Sequence, residues 1–592
     1  MIERCMLANA LTALGLLALV GCGDHNVIAI SGTGNSNIVN GGDGGVPDDG
    51  GLCTGPVCHV WGDQGDGTFL NPVLWADYNT LDAIAYGSDF YMISATHHFM
   101  GIAVLHSQDL VNWDIVSRVY RSLTISPLYD TPGQAYEDGS WGPTIRYNNG
   151  LFYVYLATPE EGLLMTTATD PAGPWAPMQL IRSVAGWQDP CPFWDDVANA
   201  GGDGPNGRQA YLVRGAVRTV SGSGPGILYL HKMSWDGTTV IGDGTQIAQG
   251  VTFQGPKLLK RNGYYYIFAP TGAASTGDEV VLRSQDIWGV NPVYDQRTIL
   301  EQGLTIVTGT HLGAWLDLPN GSSWFLHNAA LQGWGRTVYL EPAQWGSDGW
   351  PTVGIDQDGN GIGEPVAQPK KPNVGAAFPI QVPANSDEFS STALGLQWLW
   401  NHNPDNNRWS LGARPGWLRL TARPLATQSG ISGYGDAVPA DSDSIVFAYN
   451  TVVQEAMGQT CSAITVLDTS GMIDGQQAGI TLFGEQWGWI GVNQLGSQRI
   501  VVANLIGVRN VGPVLTGNTV YLMAKFGGAS EISFAYSLDG TSFIPLPQNG
   551  TLAVNRSWGE GIKFGLFTYN PPNGPAGGYA DFDYFRYSHD GP

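Results

Sequence analysis

The sequence predicts an all-β fold, a five-bladed β-propeller followed by a β-sandwich. Its 592 residues include 82 glycines and only 13% charged residues, and short glycine-bounded strands without a sustained helical period are typical of β proteins. An aromatic-rich strand, followed by a second strand and a polar turn, recurs five times at intervals of about 55 to 62 residues. The five copies begin at Asp89, Leu151, Gln209, Tyr264 and Ser323.

A period of this length fits propeller blades of about four strands each, and the innermost strand of every blade then lines a central axis. We therefore expect function to reside where the inner strands begin. The predicted propeller spans 66–370, and a proline-punctuated linker follows at 371–385. Short alternating strands across 386–592 predict a two-sheet sandwich.

The composition narrows the class of ligand. A formal net charge of −24 argues against nucleic acid, whose phosphates require a basic surface. The same charge disfavours acidic polysaccharides but permits neutral ones. The 21 tryptophans and 24 tyrosines provide flat faces that stack on sugar rings, although such residues also fill β cores.

The N-terminal region predicts export. Arg4 precedes the apolar run 11–20, which is too short to span a bilayer, and 19–22 reads Leu-Val-Gly-Cys. This tetrad resembles a bacterial lipobox and implies a signal peptide at 1–22 with lipid on Cys22; a plain secretory signal is the alternative. Residues 23–65 read as a glycine-rich tether. We expect an exported lipoprotein at the outer membrane or cell surface, contacting membrane through its lipid anchor only.

The other cysteines agree with export. Cys53 and Cys58 bracket a tight loop and are candidates for a disulfide. Cys191 and Cys461 lie in apolar, strand-like contexts and are predicted to be buried thiols. No spacing of cysteine or histidine suggests zinc.

An acidic loop before the linker partly matches a calcium-binding loop. Asp356, Asp358 and Asn360 supply its first, third and fifth positions, but Ala367 stands where a bidentate glutamate is expected. Two interpretations remain open, a structural calcium site and a solvated acidic turn. No other cofactor is expected.

Several strings resemble glycoside hydrolase family 43, which contains β-xylosidases and α-L-arabinofuranosidases. They are Asn71–Tyr78, His106–Trp113, Gln188–Phe193, Gly255–Lys257 and Arg261–Pro270. The segments Leu396–Pro404 and Gly577–Arg586 resemble that family's C-terminal concanavalin A-like domain. The resemblance implies a five-bladed propeller, a concanavalin-like sandwich and inverting cleavage of xylosyl or arabinosyl linkages in hemicellulose such as xylan or arabinan.

Inversion needs a carboxylate base that activates water and a carboxylic acid that protonates the leaving oxygen. The resemblance assigns Asp189 to a third carboxylate, which tunes the pKa of the acid. It places Thr80 at the base position and Gln254 at the acid position, where the family has aspartate and glutamate. Neither residue can exchange a proton at neutral pH in the required way.

Other carboxylates are candidates for replacing the missing groups. Asp82, two residues beyond Thr80, is expected on the same strand face and is either a substitute base or a structural hydrogen-bond acceptor. Asp77 is a candidate substrate-binding residue. Four further acids near the expected mouth are candidates for relocated chemistry or are simply solvated. They are Glu137, Asp138, Asp278 and Glu279.

The remaining assignments describe a sugar pocket. His311, which opens the fifth inner strand, matches a family position associated with a metal ion or water, but a hydrogen-bonded core histidine is the simpler interpretation. Arg336 is expected to donate hydrogen bonds to sugar hydroxyls, and His402 lies in a sandwich loop expected to cover the pocket. The candidate pocket walls are His98, Trp141, Trp187 and Phe253.

Two functions follow. The first is hydrolysis of neutral plant-type glycans by a family 43-like enzyme, and the second is glycan binding at the cell surface by a catalytically degenerate relative. Thr80 and Gln254 together favour the second, while Asp189 and the extent of the resemblance favour the first.

Overall fold

The structure is a computed structural model. It describes residues 59–592, apart from 98, 136–137, 200, 217–225, 251–252, 273–275, 304–309, 427–444, 485, 529–530 and 548–559, and it describes His311 without its side chain. The described residues form β-strands and three short 3₁₀ helices. The helices are Pro127–Asp130, Pro205–Gly207 and Ile445–Phe447. No helix among these residues is long and apolar enough to cross a membrane.

Five four-stranded antiparallel sheets form the propeller blades, which confirms the predicted fold class. From the axis outward, blade 1 contains Asp82–Tyr86, Asp89–Ser94, Ala103–Ser107 and Asp114–Arg118, and blade 2 contains Trp141–Asn148, Leu151–Thr158, Gly162–Ala168 and Gln179–Ser183. Blade 3 contains Trp187–Ala198, Arg208–Ala216, Gly226–Met233 and Val240–Gly250. Blade 4 contains Lys257–Arg261, Tyr264–Thr271, Asp278–Ser284 and Asp295–Leu300, and blade 5 contains His311–Asp317, Ser323–Leu331, Gly335–Trp345 and Pro351–Val353.

The recurring aromatic strand is the second strand of each blade. It pairs with a neighbour on both sides, so nearly every residue along it is buried, as in Leu151–Thr158. Side chains of this strand pack between adjacent blades, where large aromatic surfaces give the greatest gain from burial. This packing explains why the repeat can be recognised in the sequence.

The chain closes the ring by returning its start to the last blade. A hairpin of Gly62–Asp63 and Phe69–Leu70 precedes the segment 71–78, which runs beside the third strand of blade 5. Leu74 and Val338 exchange backbone hydrogen bonds of 3.3 and 3.1 Å. The Tyr78 amide donates to the carbonyl of Arg336 at 3.1 Å. This closure brings the start of blade 1 against the third strand of blade 5.

The C-terminal part forms a sandwich of two seven-stranded antiparallel sheets. In spatial order, one sheet contains Leu399–Trp400, Val452–Glu455, Lys563–Tyr569, Gln477–Phe483, Trp487–Leu495, Gln498–Leu505 and Val508–Val514. The other contains Trp409–Ser410, Leu418–Thr421, Tyr579–His589, Cys461–Asp468, Thr519–Phe526, Ile532–Ser537 and Ile544–Pro545. Ile480 and Leu566 of the first sheet share one buried cluster with Leu522 and Phe582 of the second, so the core lies between the sheets.

The propeller and the sandwich meet within one compact unit, Gly51–Pro592, through both apolar contacts, such as Phe99 on Phe483, and backbone and side-chain hydrogen bonds. The Met100 amide donates to the carbonyl of Trp400 at 2.8 Å, and Asn403 donates to Leu123 and Asp130 at 2.7 and 2.9 Å. These contacts fix the sandwich loop 400–404 on a loop of blade 1, at Met100, and on the segment that connects blades 1 and 2, at Leu123 and Asp130.

Cys191 and Cys461 are buried free thiols, as predicted. The signal peptide, Cys22, residues 23–58 of the predicted tether and the proposed pair Cys53 and Cys58 lie outside the described residues. The last residues of the predicted tether, 59–65, instead contain the buried Trp61 and the strand Gly62–Asp63, because they pair with Phe69–Leu70 in a hairpin.

Candidate active site

Thr80 lies where ring closure brings blade 1 against blade 5. Its backbone adopts a left-handed φ of 49°, and its hydroxyl donates to the Asn79 side chain at 2.7 Å. The Arg336 guanidinium donates to the same hydroxyl at 3.1 Å. The position assigned to the base therefore presents a hydroxyl that is already hydrogen-bonded and has no basic carboxylate.

Arg336 is buried, and its Nε has no hydrogen-bond partner among the described residues. Burial lowers the pKa of its guanidinium to about 10, and the negative charges of Asp77 and Asp189 oppose that shift. A buried guanidinium with an unpaired N–H is costly without an acceptor. The Arg336 Nε–H thus remains available to an oxygen acceptor.

Asp77 faces the sandwich. Its carboxylate accepts the Arg336 amide at 3.0 Å and the Gly561 amide at 2.8 Å, and it lies 3.4 Å from the Lys563 ammonium. Burial raises the pKa of Asp77, the positive charge of Lys563 opposes that effect, and the charge of Glu560 adds to it. The substrate-binding candidate is therefore occupied by the interface between the two domains.

Asp189 opens the inner strand of blade 3 with a left-handed φ of 52°. The Gly255 amide donates to its Oδ2 at 2.9 Å, and a Cβ at Gly142 would collide with its Oδ1, so glycine is needed there. Burial raises the pKa of Asp189, while the Gly255 hydrogen bond and the charges of Lys257 and Arg336 oppose that rise. The Gly255 amide thus holds Asp189 in place. Among the described residues, Asp189 forms no direct ion pair with a cation.

Gln254 immediately precedes the Gly255 amide that binds Asp189, so the acid position and the tuning carboxylate are linked through one residue. Its side chain is half-buried. An amide preserves the shape and hydrogen bonding of glutamate but has no acidic proton. The position assigned to the acid can bind a glycosidic oxygen but cannot protonate it.

Asp82 begins the first inner strand and forms a buried ion pair. It accepts Arg146 at 2.6 Å and the Ile145 amide at 2.9 Å, and the Lys257 ammonium lies 3.9 Å from its other oxygen. The expectation that Asp82 shares a strand face with Thr80 was wrong, because the strand starts only at Asp82 and Thr80 has a left-handed backbone. Its contacts match the structural acceptor rather than the substitute base.

The acids considered for relocated chemistry are dispersed. Glu279 is buried in blade 4, neither of its carboxyl oxygens has a described partner, and burial raises its pKa well above its ordinary value. Asp278 beside it is half-buried, and burial also raises its pKa. Asp138 is buried, and its carbonyl accepts the Tyr129 hydroxyl at 2.8 Å. None of these contacts joins the acids to Asp189.

Two of the three described wall candidates pack inside the blades. Phe253 belongs to the buried cluster of blades 3 and 4, and Trp187 packs on Arg214, with 4.1 Å from the guanidinium carbon to the ring centroid. Trp141 instead meets the edge of His97 at 5.5 Å between ring centroids. Trp141 is therefore the wall candidate nearest to residues that reach from the sandwich.

His402 lies in the loop that was expected to cover the pocket. Its ring contacts Tyr449 edge-on at 5.5 Å, and neither ring nitrogen has a described hydrogen-bond partner. Burial lowers the pKa of His402 to about 3, and the charge of Arg423 adds to this, so the ring is neutral. The His402 ring therefore packs against Tyr449, another residue of the sandwich.

The remaining candidates lie elsewhere or outside the described residues. His98, Glu137 and the side chain of His311 are outside them. Asp356, Asp358 and Asn360 occupy an exposed loop after blade 5, and Asp356 accepts the backbone amides of its own loop there.

Residues that sequence analysis missed complete the site. The Glu560 carboxylate accepts the His97 amide at 2.9 Å and lies 3.3 Å from the His97 ring nitrogen. Glu560 also contributes negative charge at Arg336 and Asp77. Neither residue stands in a local motif, because their contact spans 463 residues. Lys257 appears in the sequence only as the end of the motif Gly255–Lys257, and nothing in that motif indicates that its ammonium lies near Asp82.

Comparison with known proteins accounts for both parts of the chain. The model of glycosyl hydrolases family 43 matches residues 69–351, and that of the β-xylosidase C-terminal concanavalin A-like domain matches residues 386–588. A protein of Xylanibacter ruminicola is 39% identical over 513 residues, which cover 86% of this chain and 88% of its own length. A β-xylosidase of Formosa agariphila is 35% identical over 570 residues, covering 90% and 92%.

A solved structure of a family 43 protein from Bacillus licheniformis superposes with a TM-score of 0.70 at 25% identity. The match covers 88% of this chain and 99% of that chain. The likeness therefore extends over the propeller and the sandwich together.

Proposed function

Because this chain belongs to glycosyl hydrolase family 43, we propose that its propeller pocket binds xylosyl or arabinosyl residues of neutral plant polysaccharides without cleaving them by the ordinary inverting mechanism. The observation that supports this proposal most directly is the hydrogen bond from Arg336 to the hydroxyl of Thr80, which occupies the position of the base. Gln254 occupies the position of the acid. Of the base, the acid and the carboxylate that tunes the pKa of the acid, this chain therefore retains the last, Asp189.

The loss of proton-transfer groups has a large expected cost. Each general acid or base contributes about 10² to 10⁴ in rate, so the absence of both removes most of the chemical acceleration. Asp82 does not compensate, because Arg146 and Lys257 already hold its carboxylate. If Asp82 acted as a base, Arg146 and Lys257 would lose the carboxylate that balances their charges, which is costly inside a protein.

The groups that bind sugars are retained. Arg336 offers an unpaired N–H, Asp189 offers a carboxylate oxygen, and Gln254 offers both a donor and an acceptor. Trp141 adds an aromatic surface. Hydroxyl groups of a neutral pentose can satisfy these buried polar groups without adding a charge.

A second candidate function is hydrolysis of xylosyl or arabinosyl linkages, and Asp189 favours it. Burial raises the pKa of Asp189, so this carboxyl holds its proton at a higher pH than a solvated aspartate does. A protonated Asp189 within reach of a glycosidic oxygen would supply the acid, and an unassisted water would attack more slowly than one activated by a base. The relative named as a β-xylosidase agrees with this alternative.

The two functions are separated by titrating the chain calorimetrically with xylo- and arabino-oligosaccharides and analysing the same samples for products. Binding without product, weakened in Asp189→Ala but not in the exposed-site control Asp317→Ala, is the expected result. Product formation that is lost in Asp189→Ala would establish hydrolysis instead. Neither binding nor product with any member of the panel would refute both.

We also propose that the protein is held at the bacterial surface by lipid on Cys22. The supporting observation is the sequence 19–22 followed by a glycine-rich stretch. Metabolic labelling with a fatty-acid analogue should label the wild type and not Cys22→Ser. Equal labelling of both proteins, or labelling of neither, would contradict the proposal.

A further inference from the structure

Three carboxylates converge on the rim of the propeller, outside the pocket. Glu301 follows the last strand of blade 4, whereas Asp358 and Glu364 belong to the loop that follows blade 5. One carboxylate oxygen from each residue lies within 4.8 Å of the other two. The Glu301 amide donates to the carbonyl of Gly363 at 2.9 Å, so the backbone itself brings these segments together.

Glu364 distinguishes this cluster from an ordinary acidic surface. The residue is 3% exposed, and its Oε2 is buried without a hydrogen-bond partner among the described residues. Its backbone is fixed by two hydrogen bonds of 3.0 Å with Ile355, so the side chain is directed at the cluster by the fold. A buried carboxylate oxygen next to two other carboxylates lacks both solvation and a compensating charge.

The structure changes the ligand set suggested by the sequence. Asp356 accepts the amides of Gly359, Asn360 and Gly361 at 2.7, 3.1 and 2.9 Å, so it shapes the turn. The Asn360 side-chain oxygen likewise accepts a loop amide, from Ile362 at 2.8 Å. Of the three residues in the sequence pattern, Asp358 alone contributes a carboxylate to the cluster, while the Asn360 side-chain amide donates to Glu301 and, at 3.3 Å, to Asp358.

We propose that Glu301, Asp358 and Glu364 bind a divalent cation, with Ca²⁺ as the preferred ion. Carboxylate oxygens suit hard cations, and Ca²⁺ accepts six to eight oxygens in irregular geometry, so water and backbone carbonyls can complete the shell. The cation fastens the loop after blade 5 to the outer strand of blade 4. Its role is to stabilise the propeller rim, independently of glycan binding.

The test uses the full chain after treatment with EDTA and dialysis. Calorimetric titration with CaCl₂, and separately with MgCl₂, should show a Ca²⁺ site whose affinity falls at least about tenfold in Glu301→Gln and in Asp358→Asn. The control Asp348→Asn removes an exposed acid that pairs with Arg297 outside the cluster and should bind Ca²⁺ like the wild type.

Thermal unfolding provides the second readout. Millimolar Ca²⁺ should raise the Tm of the wild type by roughly 2–5 °C and leave that of Asp358→Asn nearly unchanged, while both proteins melt alike in EDTA. Asp358 is exposed, so its substitution should not prevent folding. Absence of binding heat and of a Tm shift in the wild type, or undiminished Ca²⁺ binding in both variants, would overturn the proposal.

Discussion

Two regions of the molecule bury carboxylates and hold them in different ways. On the propeller axis, the buried Asp82 pairs with the partly buried Arg146. At the interface with the sandwich, Asp77 lies beside the buried Lys563. In the pocket, Asp189 accepts a single described hydrogen bond, from an amide. The first two carboxylates are thus committed to the fold, whereas Asp189 retains the capacity to bind a ligand.

This difference bears on the proposed loss of the proton-transfer groups. Buried ion pairs are costly to break, so selection for folding alone retains Asp82 and Asp77. Thr80 and Gln254 carry no charge themselves, and the Thr80 hydroxyl accepts a hydrogen bond from the Arg336 guanidinium. Their side chains therefore keep polar contacts in the site without the proton-transfer groups.

The largest expected effect is on stability, in Asp82→Ala. Removing this carboxylate takes the ion-pair partner from the buried Lys257 and one acceptor from the partly buried Arg146, and it should lower the free energy of unfolding by about 3 kcal/mol, the lower end of the range for buried ion pairs. The exposed pair Asp317 and Arg261 is the matched control, and Asp317→Ala should cost about 0–1 kcal/mol. Urea unfolding at pH 7 measures both, and equal costs would remove the distinction between the regions.

The interface should respond to pH through Glu455, which shares the Lys563 ammonium with Asp77. Burial raises the pKa of Glu455 from 4.5 to about 7; the charge of Lys563 opposes the shift and that of Asp77 adds to it. Between these values the folded state binds more protons than the unfolded state, so this group's contribution to stability falls as pH rises.

The expected loss from Glu455 is about 3 kcal/mol between pH 4.5 and 8, since each pKa unit corresponds to about 1.4 kcal/mol. Glu455→Gln removes the titration and should flatten this part of the stability profile. Parallel profiles for the two proteins, measured by urea unfolding across this range, would show that the interface does not hold the proton.

A smaller effect is expected on glycan affinity in Arg336→Lys. Lysine keeps the charge but loses the planar array of donors, so the Kd for a bound xylo- or arabino-oligosaccharide should rise about tenfold, which equals about 1.4 kcal/mol. The control Arg297→Lys alters an exposed arginine paired with Asp348. If calorimetry gives the same Kd for both variants, Arg336 does not contact the sugar.

The sequence predicted the fold well because the information is local. Each blade carries its own buried aromatic strand, and ring closure repeats the same packing five times. The prediction for Asp82 was less complete, since its partners Arg146 and Lys257 come from the inner strands of blades 2 and 4. Their proximity depends on the radius and closure of the ring, which no short motif encodes.

The sandwich's contribution to the site could not be read from the chain. Glu560 contacts His97 across 463 residues, and Lys563 contacts Asp77 across 486. Thr80, Asp189 and Gln254 were placed through family resemblance, but the resemblance did not reveal that Arg336 binds the Thr80 hydroxyl. Such contacts depend on how the propeller and the sandwich pack against each other.

The most direct test of the account compares the wild type with the double variant Thr80→Asp with Gln254→Glu, by the initial rate of product release from aryl β-xylosides and α-L-arabinofuranosides. The account predicts that the wild type releases no product above the detection limit and that the variant hydrolyses at least about 10²-fold faster than that limit, since both proton-transfer groups are restored. A wild type that hydrolyses as fast as the variant, or a folded and glycan-binding variant that stays inactive, would contradict it.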